Sequence, residues 1–196
     1  MQFSLSAITA IAAFASSVIA APVEARSTGV YTITVKNSCS QTIWPGVGQV
    51  SSSPGKIDSQ SGGFELASGG SRTISVPTDW IAGRIFARTG CSGSGSSFHC
   101  AVGDCGAYSC VDNTGISGVT LAEFSYSDMV KTFYNISLIS GYNLGMRISS
   151  NDATCPAFSC PTGGCSEFQA YKAGSGANPC AACPLAAAYT VEFCPS

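Results

Sequence analysis

The sequence predicts an all-β fold, either a sandwich of two sheets or a flattened barrel, stabilised by disulfide bonds. Short segments with alternating apolar and polar residues recur about every 8–12 residues, a pattern typical of strands joined by turns. The chain contains 22 glycines and 9 prolines, which favour turns over helices. All 11 cysteines lie after residue 38, in the part of the chain that carries these segments.

The first half of the chain supplies four predicted strands. Residues 31–35 alternate between apolar residues and threonine, which predicts a strand with one buried face. Residues 42–44 and 72–76 predict two further strands, each followed by a proline that ends it. Residues 48–63 are rich in serine, glycine and proline and predict a loop. Residues 81–87 predict the strand that enters a cysteine-rich segment.

The second half continues the same alternation. Residues 120–126 predict the strand that leaves the cysteine-rich segment, and residues 132–138 predict the next one. Residues 142–148 predict a further strand, and residues 189–193 predict the closing strand. Residues 181–188 form an alanine-rich run that suits a helical turn, although its proline and cysteines disfavour a regular helix.

The N-terminal segment predicts secretion. Residues 1–20 contain an apolar run over residues 5–14 and small residues near position 20, as in a secretory signal peptide. The alternative is a membrane anchor, but this run is shorter than the roughly 20 residues that a membrane-spanning helix needs. Residues 21–27 predict a pro-segment or flexible tail, and residues 28–196 predict one domain. We therefore expect an extracellular or cell-wall location and no membrane span.

Composition and motifs exclude several classes of function. Only 10% of residues are charged and the net charge is −2, so no basic surface for nucleic acid is expected. The chain has one histidine, no Gly-x-Ser-x-Gly motif and no phosphate-binding loop. These absences argue against serine hydrolase and nucleotide chemistry, and the sequence predicts no cofactor.

The cysteines predict a disulfide framework rather than a metal site. Secreted chains keep cysteines paired, and an odd count of 11 leaves at least one without an intramolecular partner. Cys180 and Cys183 have spacing suited to zinc, but the chain lacks a second histidine and carries a secretion signal, so we expect no metal. Two sets of three cysteines have four residues between neighbours, one at residues 100, 105 and 110 and one at residues 155, 160 and 165. We interpret this repeat as a coincidence of loop size because the flanking sequences differ.

Several dispersed motifs resemble those of the thaumatin-like protein family. They occur in the family's order and extend over about residues 31–195: TITVKNSCSQTIWPG, GRIFART, CAVGDCGAYSC, TLAEF, FYNISLISGYNLGM and YTVEFCP. The resemblance implies a thaumatin-like β-sandwich with disulfide-rich loops, from which the family's large loop domain is mostly absent. Such a chain is similar to the small secreted members of the family, including the fungal CalA/CetA group.

The resemblance also implies a pattern of disulfides. It pairs the first strand with the last and places two bridges inside the cysteine-rich segment. Two of Cys160, Cys165 and Cys180 should also pair, and we predict Cys160–Cys180 with Cys165 left over. The full set is Cys39–Cys194, Cys91–Cys100, Cys105–Cys110, Cys155–Cys183 and Cys160–Cys180.

Family members carry a cleft that is lined by an arginine, a glutamate and three aspartates, and some bind or hydrolyse β-1,3-glucan. The arginine corresponds to Arg84 in GRIFART, and the glutamate to Glu123 in TLAEF. The next two aspartate positions are Asn135 and Ser140 here, and the stretch that would carry the last aspartate is missing. We predict that these four residues contact the ligand.

The missing acids bear on catalysis, because glycoside hydrolysis needs two carboxyl groups. Glu123 is the one catalytic candidate that the resemblance supplies, and an adjacent Arg84 cation would favour its ionised form, which suits an ion pair better than a general acid. A second acid would have to be Asp104, Asp112 or Asp128. Asp104 is expected instead to bond to its own tight turn.

Two further observations concern sugars. Asn135-Ile136-Ser137 is an N-glycosylation sequon, and a glycan there would crowd the cleft.

Aromatic side chains can stack on sugar rings, although most in a β-sandwich belong to the core. Tyr108 and Phe98, which lie in loops rich in serine and glycine, are predicted to be exposed ligand contacts, whereas Phe133 and Tyr134 are predicted core residues.

Three functions are therefore open. The first is a non-catalytic extracellular or cell-wall protein that binds β-glucan or another surface, as in fungal wall remodelling during germination and growth. The second is a weak endo-β-1,3-glucanase that uses Glu123. The third is an adhesin, effector or inhibitor that engages a host or foreign protein. The missing acids favour the first and third functions over an enzyme.

Overall fold

The computed structural model describes residues 30–113, 116–127, 131–184 and 188–196. The predicted signal peptide and pro-segment lie outside these residues. Within the described ranges, eleven strands and one short 3-10 helix, Gly95–Ser97, make up the regular structure. The strands are β1 (Val30–Asn37), β2 (Trp44–Gly48), β3 (Ser71–Pro77), β4 (Gly83–Ser92), β5 (His99–Val102), β6 (Leu121–Ser127), β7 (Lys131–Ser137), β8 (Met146–Ser150), β9 (Phe158–Cys160), β10 (Ala181–Pro184) and β11 (Tyr189–Phe193).

The strands form two sheets, which confirms the prediction of an all-β sandwich. The first sheet has the order β3-β1-β11-β8-β9, and the second has the order β10-β7-β6-β4-β2, with β5 paired to β4. The first and last strands lie side by side, because β1 pairs in parallel with β11. The other ladders, including the β6–β7 hairpin and the β4–β6 pair, are antiparallel.

The main core lies between the two sheets and follows from the alternation of apolar residues. Ile33 and Val35 of β1 are fully buried, as are Ile148 of β8 and Val191 of β11. Since side chains of a strand alternate between its two faces, the intervening threonines and serines point to solvent. From the second sheet, Tyr134 of β7 fills the same core and stacks near Tyr189 and Phe124, with ring centroids 5.0 and 6.2 Å away.

The chain ends are held together covalently and by hydrogen bonds. Cys39 bonds to Cys194 across a separation of 155 residues. In the chain-entropy model, closing a loop of this length adds about 4–5 kcal/mol to the free energy of unfolding. Beside this disulfide, Lys36 Nζ lies 2.8 Å from Glu192 Oε1, and the Ser38 hydroxyl donates to the same oxygen at 2.6 Å. These bonds from Lys36 and Ser38 lower the pKa of Glu192.

Five disulfides occur in the structure, and four of them are the pairs that the family resemblance implied. They are Cys39–Cys194, Cys91–Cys100, Cys105–Cys110, Cys155–Cys183 and Cys160–Cys165. The predicted Cys160–Cys180 bond is wrong, because Cys160 bonds to Cys165 and Cys180 is the free cysteine.

The topology explains this difference. Cys160 ends β9 at the edge of the first sheet, and a tight turn brings Cys165 back with a Cα–Cα distance of 5.1 Å. Cys180 immediately precedes β10, at the edge of the second sheet. The repeated spacing that we interpreted as coincidence was a real signal, because the second and third cysteines of each set bond to each other. Cys105–Cys110 is the matching pair.

Three short strands differ from the sequence prediction. Residues 181–184 form the edge strand β10 rather than a helical turn, because they pair with β7. His99–Val102 folds back on β4 as β5, and this hairpin is closed by the Cys91–Cys100 bond. Phe158–Cys160 adds β9 to the first sheet. Each strand is only three or four residues long, too short to show a periodic pattern.

Candidate functional site

The sheet register aligns the three candidate residues Arg84, Glu123 and Asn135 in one row. Arg84 of β4 lies opposite Glu123 of β6, and Glu123 lies opposite Asn135 of β7. Because directly opposite residues of antiparallel strands project to the same face, the three side chains meet on the outer face of the second sheet. The row is therefore a property of the strand register, and no loop is needed to assemble it.

Both oxygens of the Glu123 carboxylate have partners in this row. Arg84 Nε lies 3.5 Å from Oε1, and the Asn135 side-chain amide donates a hydrogen bond of 2.9 Å to Oε2. The Arg84 and Glu123 side chains are each about three-quarters buried, with 27% and 29% of their area exposed. Glu123 is thus an acceptor held from two sides, in contact with solvent.

The row lines an open cleft of about 230 Å³. Its lining also includes small residues, namely Ala82 just before β4, Gly83 at the start of β4 and Ser125 on β6. Gly83 is required here, because a Cβ at this position would overlap the buried ring of Trp80 beneath it. Trp80 is held in turn by a hydrogen bond of 2.7 Å from its indole nitrogen to the Gln49 side chain.

Phe133 also lines the cleft, so its assignment to the core was wrong. Its side chain is 37% exposed, whereas the next residue, Tyr134, is fully buried as predicted. The two side chains point to opposite faces of β7, and the inner face is the one that Tyr134 occupies. The alternation of β7, which is exposed at Lys131 and buried at Thr132, carries the signal that would have placed Phe133 outside.

A second, smaller core lies on the same face of the sheet as the row. Phe86 and Leu121, two residues along from Arg84 and Glu123, are buried there with Cys110, Ile116 and Val119. This second core lies beneath the loops that contain Cys105–Cys110. The disulfide-rich loops therefore cover the outer face around Phe86 and Leu121, whereas the cleft is lined by the row beside it.

A buried arginine that the sequence analysis did not single out fastens these loops to the sheet. Arg88 of β4 is completely buried. Its guanidinium donates to the carbonyl oxygens of Trp44, Ala107 and Tyr108 at 2.8–2.9 Å and lies 5.2 Å from the centre of the Phe98 ring. Burial lowers the pKa of the Arg88 guanidinium to about 10, so it keeps its charge at pH 7.

The other predicted ligand contacts lie outside the cleft. Phe98 is wrong as an exposed contact, because it is only 6% exposed and packs on Arg88. Tyr108 is 44% exposed, but its ring packs edge-on against Phe98 rather than in the cleft lining. Ser140 lies in the turn after β7, where its carbonyl accepts a bond from the Gly118 amide, and it is absent from the cleft lining.

The candidate second acids are engaged elsewhere or lie outside the described residues. Asp104 accepts a hydrogen bond of 2.9 Å from the Gly106 amide, as predicted for its turn, and this bond lowers the pKa of Asp104. Asp112 forms an ion pair with Lys56 at 2.8 Å. Asp128 lies outside the described residues. Among the described residues that line the cleft, Glu123 is the single carboxylate.

The sequon asparagine is almost buried. Asn135 is 8% exposed, and its amide nitrogen, the atom that would carry a glycan, donates to Glu123. Ser137 of the sequon is 2% exposed. These positions disfavour modification of the folded protein, and occupancy stays a prediction.

The free thiol lies close to the row. Cys180 precedes Ala181, which pairs with Tyr134, so Cys180 comes next to Asn135 at the sheet edge. Partial burial raises the pKa of the Cys180 thiol, and the Glu123 charge adds to this effect. The thiol form therefore predominates at neutral pH.

The described ranges contain neither a zinc site at Cys180 and Cys183 nor a helix that could span a membrane. Cys183 cannot ligate zinc with Cys180, because it bonds to Cys155. Over residues 30–113, 116–127, 131–184 and 188–196, no group of three metal-ligating side chains converges. In the same ranges, no helix has the length and apolar character that crossing a membrane would need.

Comparison with known proteins shows the family to which this chain is similar. A model of the thaumatin family matches residues 37–194. "Pathogenesis-related protein 1A/1B" of Hordeum vulgare is 39% identical over 165 residues, which cover 84% of this chain and 88% of that protein. A "Glucan endo-1,3-beta-glucosidase" of Prunus avium is 40% identical over 136 residues, but these cover only 54% of its length.

Solved structures show the same fold. The structure of "the thaumatin-like xylanase inhibitor TLXI" superposes with a TM-score of 0.64 at 27% sequence identity, covering 83% of this chain and 99% of that one. The protein elicitor MoHrip2 from Magnaporthe oryzae has a TM-score of 0.50 at 14% identity, which speaks to the fold alone. The match to TLXI extends over nearly the whole of that chain.

Proposed function

Because this chain belongs to the thaumatin family, we propose that it is a secreted protein that binds β-glucan through the Arg84–Glu123–Asn135 row without cleaving it. The observation that carries the proposal is the engagement of both Glu123 oxygens, by Arg84 and by Asn135. The five disulfides fit a secreted protein. A cell-wall location and an origin in a fungal CalA/CetA-like subtype remain predictions, since the two sequence relatives named above come from the plants Hordeum vulgare and Prunus avium.

The geometry disfavours hydrolysis. A glycosidase needs one protonated carboxyl group to assist the leaving oxygen and a second carboxylate about 5–9.5 Å away. One Glu123 oxygen lies 3.5 Å from the Arg84 side chain, and the other accepts a hydrogen bond of 2.9 Å from the Asn135 amide. Asn135 stands beside it as an amide, which cannot attack or take a proton in place of a second carboxylate. The glucosidase activity named for the Prunus avium relative is therefore the alternative that we consider weaker.

The same groups suit recognition of a sugar. Arg84 donates hydrogen bonds, Glu123 accepts them, and Asn135 does both, so together they match the mixed donors and acceptors of sugar hydroxyls. Hydrogen bonds to charged groups are stronger than those between neutral groups. Pockets that bind small molecules place a few polar groups of this kind beside apolar surface, and here Phe133 supplies that surface.

A second candidate function is binding of a partner protein. TLXI is named a xylanase inhibitor and aligns over almost its whole length, so a host or foreign enzyme is the partner that this candidate implies. Exposed aromatic side chains such as Phe168, which is 70% exposed, suit a protein interface. This candidate does not need the Arg84–Glu123 row.

Sedimentation with particulate β-1,3-glucan tests the proposal. We expect wild-type protein to sediment with the polymer and Arg84→Ala to lose at least about tenfold in affinity, since one charge-assisted contact is worth about 1.5–3 kcal/mol. Arg147→Ala is the matched control, because Arg147 is exposed on β8 in the other sheet. Retention of wild-type affinity by Arg84→Ala would exclude the cleft as the glucan site. Failure of wild-type protein to sediment would favour the protein-binding candidate.

A further inference from the structure

We infer that Phe133 forms the platform of a subsite for a single uncharged pyranose ring, an inference that rests on the proposed glucan-binding function. The subsite consists of the exposed Phe133 ring and the adjacent row of Arg84, Glu123 and Asn135. The cleft would thus take one sugar ring, and Phe133 would select it.

The ring of Phe133 is open because its neighbours on the sheet are small. Directly across β6 it faces Ser125, and across β10 it faces Ala182. Residues opposite each other on one face approach to about 4.5–5.5 Å between Cβ atoms, so a large neighbour would cover the ring. Serine and alanine leave its face accessible, and 37% of the side chain is exposed.

The polar groups lie on the same face of the sheet, in the row of residues next to Phe133. Asn135 is two residues from Phe133 on β7, so the two side chains project in the same direction. Phe133 and the row together line one cleft. A pyranose ring has an apolar face formed by its C–H bonds and a rim of hydroxyl groups. Stacking the apolar face on Phe133 would place the rim against Glu123 and Asn135.

The cleft has room for about one sugar ring. Pockets that enclose drug-sized molecules usually measure about 300–1,000 Å³. This cleft measures about 230 Å³ and is open to solvent. It suits one sugar unit of a polymer whose neighbouring units continue along the surface.

The charges indicate that this unit is uncharged. Arg84 and Glu123 form an ion pair of opposite charges at 3.5 Å, which leaves little net charge in the row. A carboxylated sugar would bring its anion close to Glu123 and would have to compete with that carboxylate for Arg84. Unfavourable juxtaposition of like charges is a common source of specificity.

The test compares a soluble neutral β-1,3-glucan with its C6-carboxylated form by isothermal titration. Phe133→Leu keeps an apolar side chain but removes the flat face, and Phe133→Trp restores a flat face. Phe168→Leu is the matched control, because Phe168 is exposed outside the cleft lining. Near-UV circular dichroism checks that each variant keeps the fold.

We expect wild-type protein to bind the neutral glucan more tightly than the carboxylated one. Phe133→Leu should weaken binding of the neutral glucan by about tenfold, Phe133→Trp should restore it, and Phe168→Leu should bind like wild type. Equal affinity of Phe133→Leu and wild type, with Arg84→Ala impaired, would overturn the subsite and leave the proposed function intact. Tighter binding of the carboxylated glucan would overturn the uncharged-ligand assignment. No binding by wild-type protein would refute both this inference and the proposed function.

Discussion

Replacement of Arg88 by methionine should detach the disulfide-rich loops from the second sheet. Methionine has similar length and suits the buried surroundings, but it donates no hydrogen bonds. The carbonyl oxygens of Trp44, Ala107 and Tyr108 would each lose a donor now at 2.8–2.9 Å. The loops would keep their own disulfides and lose the main polar link that fastens them to β4.

The expected cost follows from these three bonds. A hydrogen bond from a charged donor contributes about 1.5 kcal/mol at the lower end of its range, so three contribute about 4–5 kcal/mol. Burial of the guanidinium opposes this, as the lowering of the pKa of Arg88 to about 10 indicates, and removing the charge recovers part of the loss. We therefore expect the free energy of unfolding to fall by about 3–4 kcal/mol.

Urea unfolding of the oxidised protein measures this change. With an m-value of about 2 kcal/mol/M, the midpoint should fall by about 1.5–2 M. Arg72→Met is the matched control, because Arg72 also lies over an aromatic ring, that of Phe64 at 4.6 Å, but in a more exposed position. It should change the stability by less than about 1 kcal/mol. A loss below about 1 kcal/mol for Arg88→Met would refute the anchoring role that we assign to Arg88.

Three further outcomes follow from the described structure. Alkylation of the unfolded, non-reduced protein should add one label, on Cys180, and peptide mass spectrometry that finds the label on any other cysteine would contradict the disulfide assignment. The pKa of Glu192 is lowered in the folded state, so the free energy of unfolding should decline as the pH falls below about 4.5, the ordinary pKa of a glutamate. In Glu192→Gln, urea unfolding at a series of acidic pH values should show a smaller decline. A decline equal to that of wild type would contradict a contribution from Glu192. Gly63→Ala should cost at least about 2 kcal/mol in thermal unfolding because its Cβ would overlap the Tyr108 carbonyl oxygen, whereas Gly176→Ala, in open space, should be neutral; similar values for both would refute the close packing.

The strand pattern of the sequence predicted most of the fold. The alternation in residues 31–35 reappears in β1, with Ile33 and Val35 buried, and that in residues 72–76 reappears in β3. Local alternation reports burial because each strand has one face on the core. It fails where a strand is too short to alternate, as in β9, or where pairing with a neighbour decides the structure, as in β10.

The candidate site was predicted only in part. Family motifs identified Arg84, Glu123 and Asn135, and the register then joins them in one row. Phe133 was missed because aromatic residues in a β-sandwich are usually buried, although the alternation along β7 pointed outward. Arg88 could not have been found from local sequence, because its partners, Trp44 and the neighbouring residues Ala107 and Tyr108, come from two segments that meet it only in the folded chain.

Reducing-end release from soluble β-1,3-glucan, measured for wild type and Glu123→Gln in parallel, tests the central claim of binding without cleavage. We predict no release by either protein, while both are assayed for glucan binding in the same samples. Release by wild type that disappears in Glu123→Gln would contradict the account, because Glu123 would then act as a catalytic acid or nucleophile with a second carboxylate still to be identified.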